Sequence, residues 1–344
     1  MTDSEQSKLI ISGAVGVNSL ADEASEEADG SAEMELRRVS VPVESHASRI
    51  DRALAACVPE FSRSYLQQLI EAGAVSLNGL KITKVSAKVK AGDELAVELR
   101  PTPQSQAFKP EVMALDIVYQ DEYLLVINKP AGLVVHPAPG NWSGTLLNGL
   151  LAHDPQASFM PRAGIVHRLD KDTSGLMVVA RQRQTMDQLV AMIAARTVSR
   201  EYIALAHGAW KGAASRPVDV PIGRDPRNRL RMAVVDLEKN AGKLASTRIS
   251  LLDTTAQHCL VQCKLHTGRT HQIRVHMAFL ERPLVSDALY GGALAGGLQR
   301  QALHAWRLAF EHPVTGASMA FKAAPPPDLQ AAIASLGLIY NQSQ

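Results

Sequence analysis

The sequence offers little from which a disulfide framework, a membrane span or an export signal could be built. Its only cysteines are Cys57, Cys259 and Cys263, an odd set that cannot close an even pattern of bridges and that points to a reducing compartment. The longest apolar candidate, around Leu124 to Val135, is interrupted by Asn128, Lys129 and Pro130. It falls short of the roughly eighteen uninterrupted apolar residues a membrane helix requires. No basic stretch followed by an apolar one opens the chain, so no secretory leader and no membrane partner are expected, and the location read from the sequence is cytoplasmic. What remains is a chain of 344 residues, 46% hydrophobic and 20% charged with only 4% aromatics, a length that suits about two globular domains.

The formal net charge of +2 conceals an asymmetry. Residues 1–36 hold nine acids and the single base Lys8, spaced by Ser, Ala and Gly, so that the remaining chain has 35 bases against 25 acids. Such an acidic, apolar-poor segment cannot bury enough surface to offset its ordering entropy, and residues 1–39 are expected to be a disordered acidic tail. A basic body suits a polyanionic partner, although it also serves simple solubility.

Residues 40–100 have the pattern of a small α+β unit. Two short amphipathic segments, Ala47 to Cys57 and Ser62 to Ala72, precede Val75-Ser-Leu77, Asn78-Gly79 and Leu80-Lys-Ile82. Asn-Gly between apolar runs predicts a tight hairpin, because both central residues must accept positive φ. A further strand is expected over Glu94 to Leu99. The proline-rich stretch 101–111 reads as a linker, 112–338 as one larger body and 339–344 as a C-terminal tail.

In the body, strand-like runs dominate: Tyr123 to Ile127, Gly132 to Val135, Leu176 to Ala180, Glu201 to His207, Ser246 to Asp253, His258 to His266, Ala302 to Glu311 and Ser318 to Lys322. Helical patterns occur at Thr145 to Ala152, Thr185 to Ala195 and Thr270 to Phe279. Without regular strand–helix alternation, the expected class is α+β, a large mixed and mostly antiparallel sheet with a few helices.

Two polar clusters stand out. In His167-Arg168-Leu169-Asp170-Lys171-Asp172-Thr173-Ser174-Gly175, mostly polar residues lie between the apolar runs 164–166 and 176–180, as in a loop held by core strands. Asp170, beside Arg168 and Lys171, suits a nucleophile or a base, and equally a solvated turn in which Asp170 and Asp172 cap backbone amides. A kinase-type loop does not fit, because Leu169 splits the His-Arg-Asp order and no glycine-rich phosphate loop precedes it. The second cluster, Leu265-His-Thr-Gly-Arg269-Thr-His271-Gln-Ile-Arg274-Val-His276, places His271 and Arg274 three apart on one face of a helix from Thr270. Histidines five apart do not share a helical face and neither Cys-x-x-Cys nor His-Glu-x-x-His accompanies them, so no metal site is expected.

Taken together the motifs resemble a known family. Ser48-Arg-Ile-Asp-Arg-Ala-Leu54, Ser62-Arg-Ser64, Gln68-Leu-Ile-Glu-Ala-Gly-Ala-Val75 and Asn78-Gly79 are similar to the S4 RNA-binding domain. Asn128-Lys-Pro-Ala-Gly132, His167-Arg-Leu-Asp170-Lys-Asp-Thr-Ser-Gly-Leu176, Tyr202-Ile-Ala-Leu205 and Leu265 to His276 occur in the order of the RluA-family pseudouridine synthases. The resemblance implies a pseudouridine synthase fold and isomerisation of uridine in 23S ribosomal RNA without cofactor or metal. It further implies a monomer acting on the large-subunit precursor, with the helix 69 stem-loop as target. A related S4-bearing type modifies other uridines of the same RNA, and a non-catalytic ribosome-assembly factor or an Asp170–Asp172 hydrolase are the readings from other classes.

The resemblance also assigns roles. Asp170 becomes the catalytic carboxylate, whether it attacks the ribose, attacks the base or removes a ribose proton. Arg274 pairs with Asp170 and keeps it ionised, Tyr202 stacks on the target base, and Arg168 fills the gap that the flipped nucleotide leaves. Arg49, Arg52, Arg63 and Lys81 of the S4 module face the RNA. One departure is Ser286 before Asp287, where the family has glycine; it puts the local loop conformation in doubt, since a serine disfavours positive φ.

Overall fold

The computed structural model describes residues 35–99, 107–138, 140–228 and 231–341. The chain divides into two units, residues 1–101 and 102–344.

In the first unit, β1 (Glu35–Ser40), α1 (Ile50–Cys57), α2 (Arg63–Glu71), β2 (Val75–Leu77), β3 (Leu80–Ile82) and β4 (Glu94–Leu99) follow in order. The strands form an antiparallel sheet in the order β1-β4-β2-β3. Ile50, Leu54, Leu66, Ile70, Val75, Leu95 and Val97 bury their side chains in one core, and Ser62 caps α2 by accepting from the Tyr65 N–H. Asn78 and Gly79 both take positive φ, as the hairpin demands. The side chain of Asp51 is fully enclosed, yet Arg63, Arg49 and Gln67 all donate to it. Burial alone would raise its pKa, but the hydrogen bonds from Gln67, Arg63 and Arg49 prevail and bring it from 3.8 to about 2.

The second unit contains β5 (Ile117–Gln120), β6 (Leu124–Lys129), α3 (Leu146–His153), β7 (Ser174–Ala180), α4 (Arg183–Ala194) and β8 (Ser199–His207). There follow β9 (Ser215–Val218), β10 (Ile222–Arg224), β11 (Met232–Val234), β12 (Gly242–Lys243), β13 (Thr247–Thr254), β14 (His258–Leu265), α5 (Gln272–Phe279), β15 (Leu303–Glu311), β16 (Ser318–Lys322) and α6 (Pro327–Ser335). Nine strands make one sheet in the order β5-β6-β7-β15-β8-β14-β13-β9, with β16 also on β15 and only β7–β15 parallel. Strands β11-β10-β12 form a small separate sheet.

The two-residue period of β8 sends alternate side chains to opposite faces. Tyr202, Ala204 and Ala206 join the core that includes Leu146, Leu150 and Met277, whereas Ile203 and Leu205 pack with Leu329 and Ile333 of α6. At the parallel junction Gly175 has φ +116°, and a Cβ there would lie 2.2 Å from the Ala305 carbonyl oxygen. Only glycine lets β7 leave the preceding loop this close to β15.

The expected α+β class and mixed sheet are present, with several boundaries displaced. Residues 35–39 are not part of a tail: they belong to β1, whose pairing with β4 supplies the order their own composition does not. Residues 1–34 lie outside the described residues. Likewise residues 107–111 of the expected linker pack on the larger unit, where Asn148 Nδ2 donates to the carbonyls of Ala107 and Lys109; residues 100–106 lie outside the described residues. At the other end, the Ile339 N–H donates to Asp253 and Tyr340 packs beside the α6 core, so part of the expected C-terminal tail belongs to the body. Gly132–Val135 is a turn followed by irregular chain rather than a strand.

Because the Asp51 pKa is lowered on folding, its contribution to stability is present above pH 4 and disappears as the pH falls towards 2. Hydrogen exchange of the α1 and α2 amides should therefore lose protection over that interval in the native chain, and Asp51→Asn should be less protected at pH 7 and show no such step. Equal profiles for the two proteins would contradict the assignment.

Candidate active site

The loop between Ile165 and β7 is held by main-chain groups, by the ring of His167 and by the buried ammonium of Lys129. Ile165 bridges to Val179 of β7, the Val178 N–H donates to His167 Nε2 at 3.1 Å, and the Thr173 N–H donates to the Asp170 carbonyl. Lys129, at the end of β6, is 1% exposed. Its Nζ donates to the carbonyls of Pro130, Leu133 and Lys171 at 2.7, 2.9 and 2.9 Å. Burial lowers the Lys129 pKa to about 8, against the opposing pull of Asp172 and Asp170. One ammonium thus ties the turn after β6 to the loop that carries Asp170.

Over this loop stands the start of α5. His271, the residue before the helix, takes a left-handed conformation (φ 57°), and Arg274 lies in the first turn. Arg274 forms two hydrogen bonds of 2.7 Å with the carboxylate of Asp287 and a longer one of 3.3 Å with Asp170 Oδ2. Its guanidinium also lies over the Tyr290 ring, 4.9 Å from the centroid. Burial works against the charge of Arg274, but Asp287 and then Asp170 outweigh it and raise its pKa.

His271 faces the other oxygen of Asp170, with Nε2 3.7 Å from Oδ1. Its Nδ1 is 2.8 Å from the Tyr290 hydroxyl, which in turn accepts from the Met232 N–H. Burial raises the phenol pKa against the opposing Met232 N–H and Arg274, and burial lowers that of the imidazole. A hydroxyl that donates to Nδ1 goes with the neutral tautomer whose proton is on Nε2, the nitrogen that faces Asp170.

These groups border a cleft of about 760 Å³. Arg162, Arg168, Arg196, Arg200, Arg269 and Arg274 line it, and among the described residues Asp170 is its only carboxylate. Asp172 and Asp287 do not reach it. Tyr202 lines the same cleft, with its pKa raised by burial, then altered in opposite senses by Arg200 and Asp170. Arg168 is exposed at the cleft and has no hydrogen-bond or ion-pair partner among the described residues. Among the described residues no cluster of His, Cys, Asp or Glu could hold a metal ion.

Of the sequence-identified residues, the structure brings Asp170, Tyr202, Arg274 and Arg168 into one cleft. In the first unit, Arg49 and Arg63 meet at Asp51 while remaining half-exposed, and Arg52 and Lys81 are exposed. The expected Arg274–Asp170 pair is present but is the weaker half of a bridge whose short contacts go to Asp287. Ser286 does adopt positive φ (59°). Its Oγ donates to the Leu298 carbonyl at 2.6 Å and its N–H to that of Ala293, which compensates for the strain glycine would avoid. The sequence places His271 beside Arg274 on one helix face but marks no role for Lys129, Arg200, Asp287 or Tyr290; the signal for the last two is their own spacing, Asp287-x-x-Tyr290, which places both on one short turn.

Replacing Asp287 by Asn leaves a buried guanidinium with half its counter-charge. The expected cost is about 3 kcal/mol, read as a fall of roughly 6–12 °C in the melting temperature of the larger unit. An unchanged melting temperature would show that the bridge is not structural.

The comparisons with known proteins fit this arrangement. The sequence signature described as RNA pseudouridylate synthase matches residues 123–279, and that of the S4 domain matches residues 48–95. The chain is similar to ribosomal large subunit pseudouridine synthase D of Neisseria meningitidis serogroup B, 48% identical over 302 residues that cover 85% of this chain and 79% of the relative. It is 44% identical over 330 residues to the protein of that name from Xanthomonas campestris pv. campestris, covering 92% and 96%. The solved structure of human RNA pseudouridylate synthase domain containing 1 superposes with a TM-score of 0.51 at 26% identity, over 64% of this chain and 89% of that one. With relatives this similar over most of both lengths, and a fold and cleft to match, the chain belongs to the RNA pseudouridylate synthase family, in its S4-bearing form.

Proposed function

We propose that the protein isomerises uridine to pseudouridine in 23S ribosomal RNA of the large subunit, in the helix 69 stem-loop, with Asp170 as the catalytic carboxylate. The observation that carries this reading is a single carboxylate, among the described residues, in the wall of an arginine-lined cleft, a field that attracts a polyanion and presents one acidic group to it. The relatives named for the large ribosomal subunit support the RNA class. The helix 69 site, the precursor particle and the monomeric form follow from the family resemblance, and the cytoplasmic location from the odd cysteine set and the lack of a leader pattern.

The reaction breaks the C1′–N1 bond of uridine, joins C1′ to C5, removes the C5 proton and leaves a proton on N1, so that no atom is gained or lost overall. Attack of Asp170 on C1′, its addition to the base, and removal of a ribose proton all place the carboxylate against the nucleotide. Arg274 donates to one oxygen of that carboxylate, and His271 faces the other. The target must leave its stack, at a cost of a few kcal/mol. Tyr202 offers it a ring to stack on, and its raised pKa keeps the phenol neutral. Arg168, unpaired and exposed, is suited to occupy the vacated position, because a guanidinium plane stacks on bases.

A hydrolase acting through Asp170 and Asp172 is disfavoured, since Asp172 does not line the cleft and glycosidases oppose two carboxylates across the scissile bond.

Modification-sensitive sequencing of ribosomal RNA from cells lacking the protein should show the loss of pseudouridine in helix 69. The native chain should restore it and Asp170→Asn should not. Loss at other 23S uridines instead would reassign the target, and modification that persists without the protein would contradict the proposal.

A further inference from the structure

Arg200 is a buried cation without a counter-ion. It is 7% exposed, its Nε is enclosed without a hydrogen-bond partner, and no ion pair or hydrogen bond engages its guanidinium among the described residues. Two other buried cations near the site are paired, Lys129 with three carbonyls and Arg274 with two carboxylates. An unpaired buried guanidinium is costly, and it persists where something outside the chain completes it.

Its position indicates what that is. Arg200 lines the cleft and lies two residues before Tyr202 on β8, so the two side chains leave the same face of the strand about 7 Å apart. Glu201, between them, points to the opposite face, where it pairs with Arg307. Room for the guanidinium is made by Gly268: a Cβ there would come within 2.8 Å of Arg200 Nη1. A planar fork of donors set one nucleotide's breadth from a base-stacking ring matches a phosphate oxygen pair.

We infer that Arg200 seats a phosphodiester group of the substrate RNA that flanks the uridine stacked on Tyr202. This deepens the proposed synthase reading and rests on it. The seat fixes the ribose relative to Asp170, and the nucleotide is then anchored at its backbone as well as at its base.

The test uses the full-length protein and a helix 69 stem-loop oligonucleotide. In equilibrium binding measured against salt, Arg200→Gln should bind about tenfold more weakly and lower the slope of log K against log salt by about 0.7–0.9, and Arg200→Lys should restore most of the slope. A neutral methylphosphonate at the linkage 5′ or 3′ of the target should weaken binding of the native protein about tenfold at one of the two positions, and should cost Arg200→Gln nothing there. An unchanged slope in Arg200→Gln, or equal losses for both proteins at both linkages, would overturn the inference. If Arg200→Gln does not fold, the native protein and Arg200→Lys decide it: insensitivity of the native protein to both substitutions would overturn it. These are binding readouts, so a protein that shows the seat but forms no pseudouridine would refute the synthase reading alone. An active enzyme with no seat would refute this inference alone.

Discussion

The site depends on one buried guanidinium held between two carboxylates. Arg274 donates twice to Asp287 at 2.7 Å and reaches Asp170 at 3.3 Å. The unequal distances divide the work. Asp287 supplies most of the compensation that an arginine needs when it leaves water, which leaves Asp170 oriented without being locked in a short bidentate pair. A carboxylate that must meet a nucleotide benefits from such a partner, because its oxygens stay available to the cleft. His271 faces the second oxygen, and its other ring nitrogen lies 2.8 Å from the Tyr290 hydroxyl.

The rest of the larger unit keeps those groups in register. Asp170 hangs on a loop anchored by Lys129 from β6 and by the Val178 N–H from β7, while α5 and the Asp287 turn arrive from distant parts of the chain. Gly175 allows the loop to enter the sheet against β15. The alternation of β8 puts Arg200 and Tyr202 on the cleft face and Glu201 behind it. Rigidity thus comes from strands, and the chemistry from the segments that join them.

Much of this was legible in the sequence, and the limits have physical causes. Asp170, Arg274 and Tyr202 stood out because their neighbours in the chain are themselves motif residues. Asn78-Gly79 announced its hairpin because a two-residue turn leaves few chemical options. By contrast, Asp287 meets Arg274 through a fold-back of the chain, and Lys129 acts on carbonyls as far away as Lys171, so no local pattern shows which partner either one meets. Gly132–Val135 looks like a strand from its apolar run, but the Pro130 and Leu133 carbonyls accept from the Lys129 ammonium, and the segment leaves the turn at Gly132 as irregular chain. Residues 35–39 carry too many charges to suggest order; β4 provides it through the ladder. Arg200 was invisible because an arginine in a basic chain is unremarkable until its surroundings prove empty of anions.

The most direct test of the central claim, that Asp170 in this cleft drives an isomerisation, follows the hydrogen at C5. Purified protein would be incubated with a 23S ribosomal RNA transcript labelled with tritium at uridine C5, and both solvent tritium and free uracil would be measured. The account predicts that tritium reaches water in step with pseudouridine formation, that no uracil appears, and that Asp170→Asn releases neither. Release of uracil, or tritium exchange that survives Asp170→Asn, would contradict it.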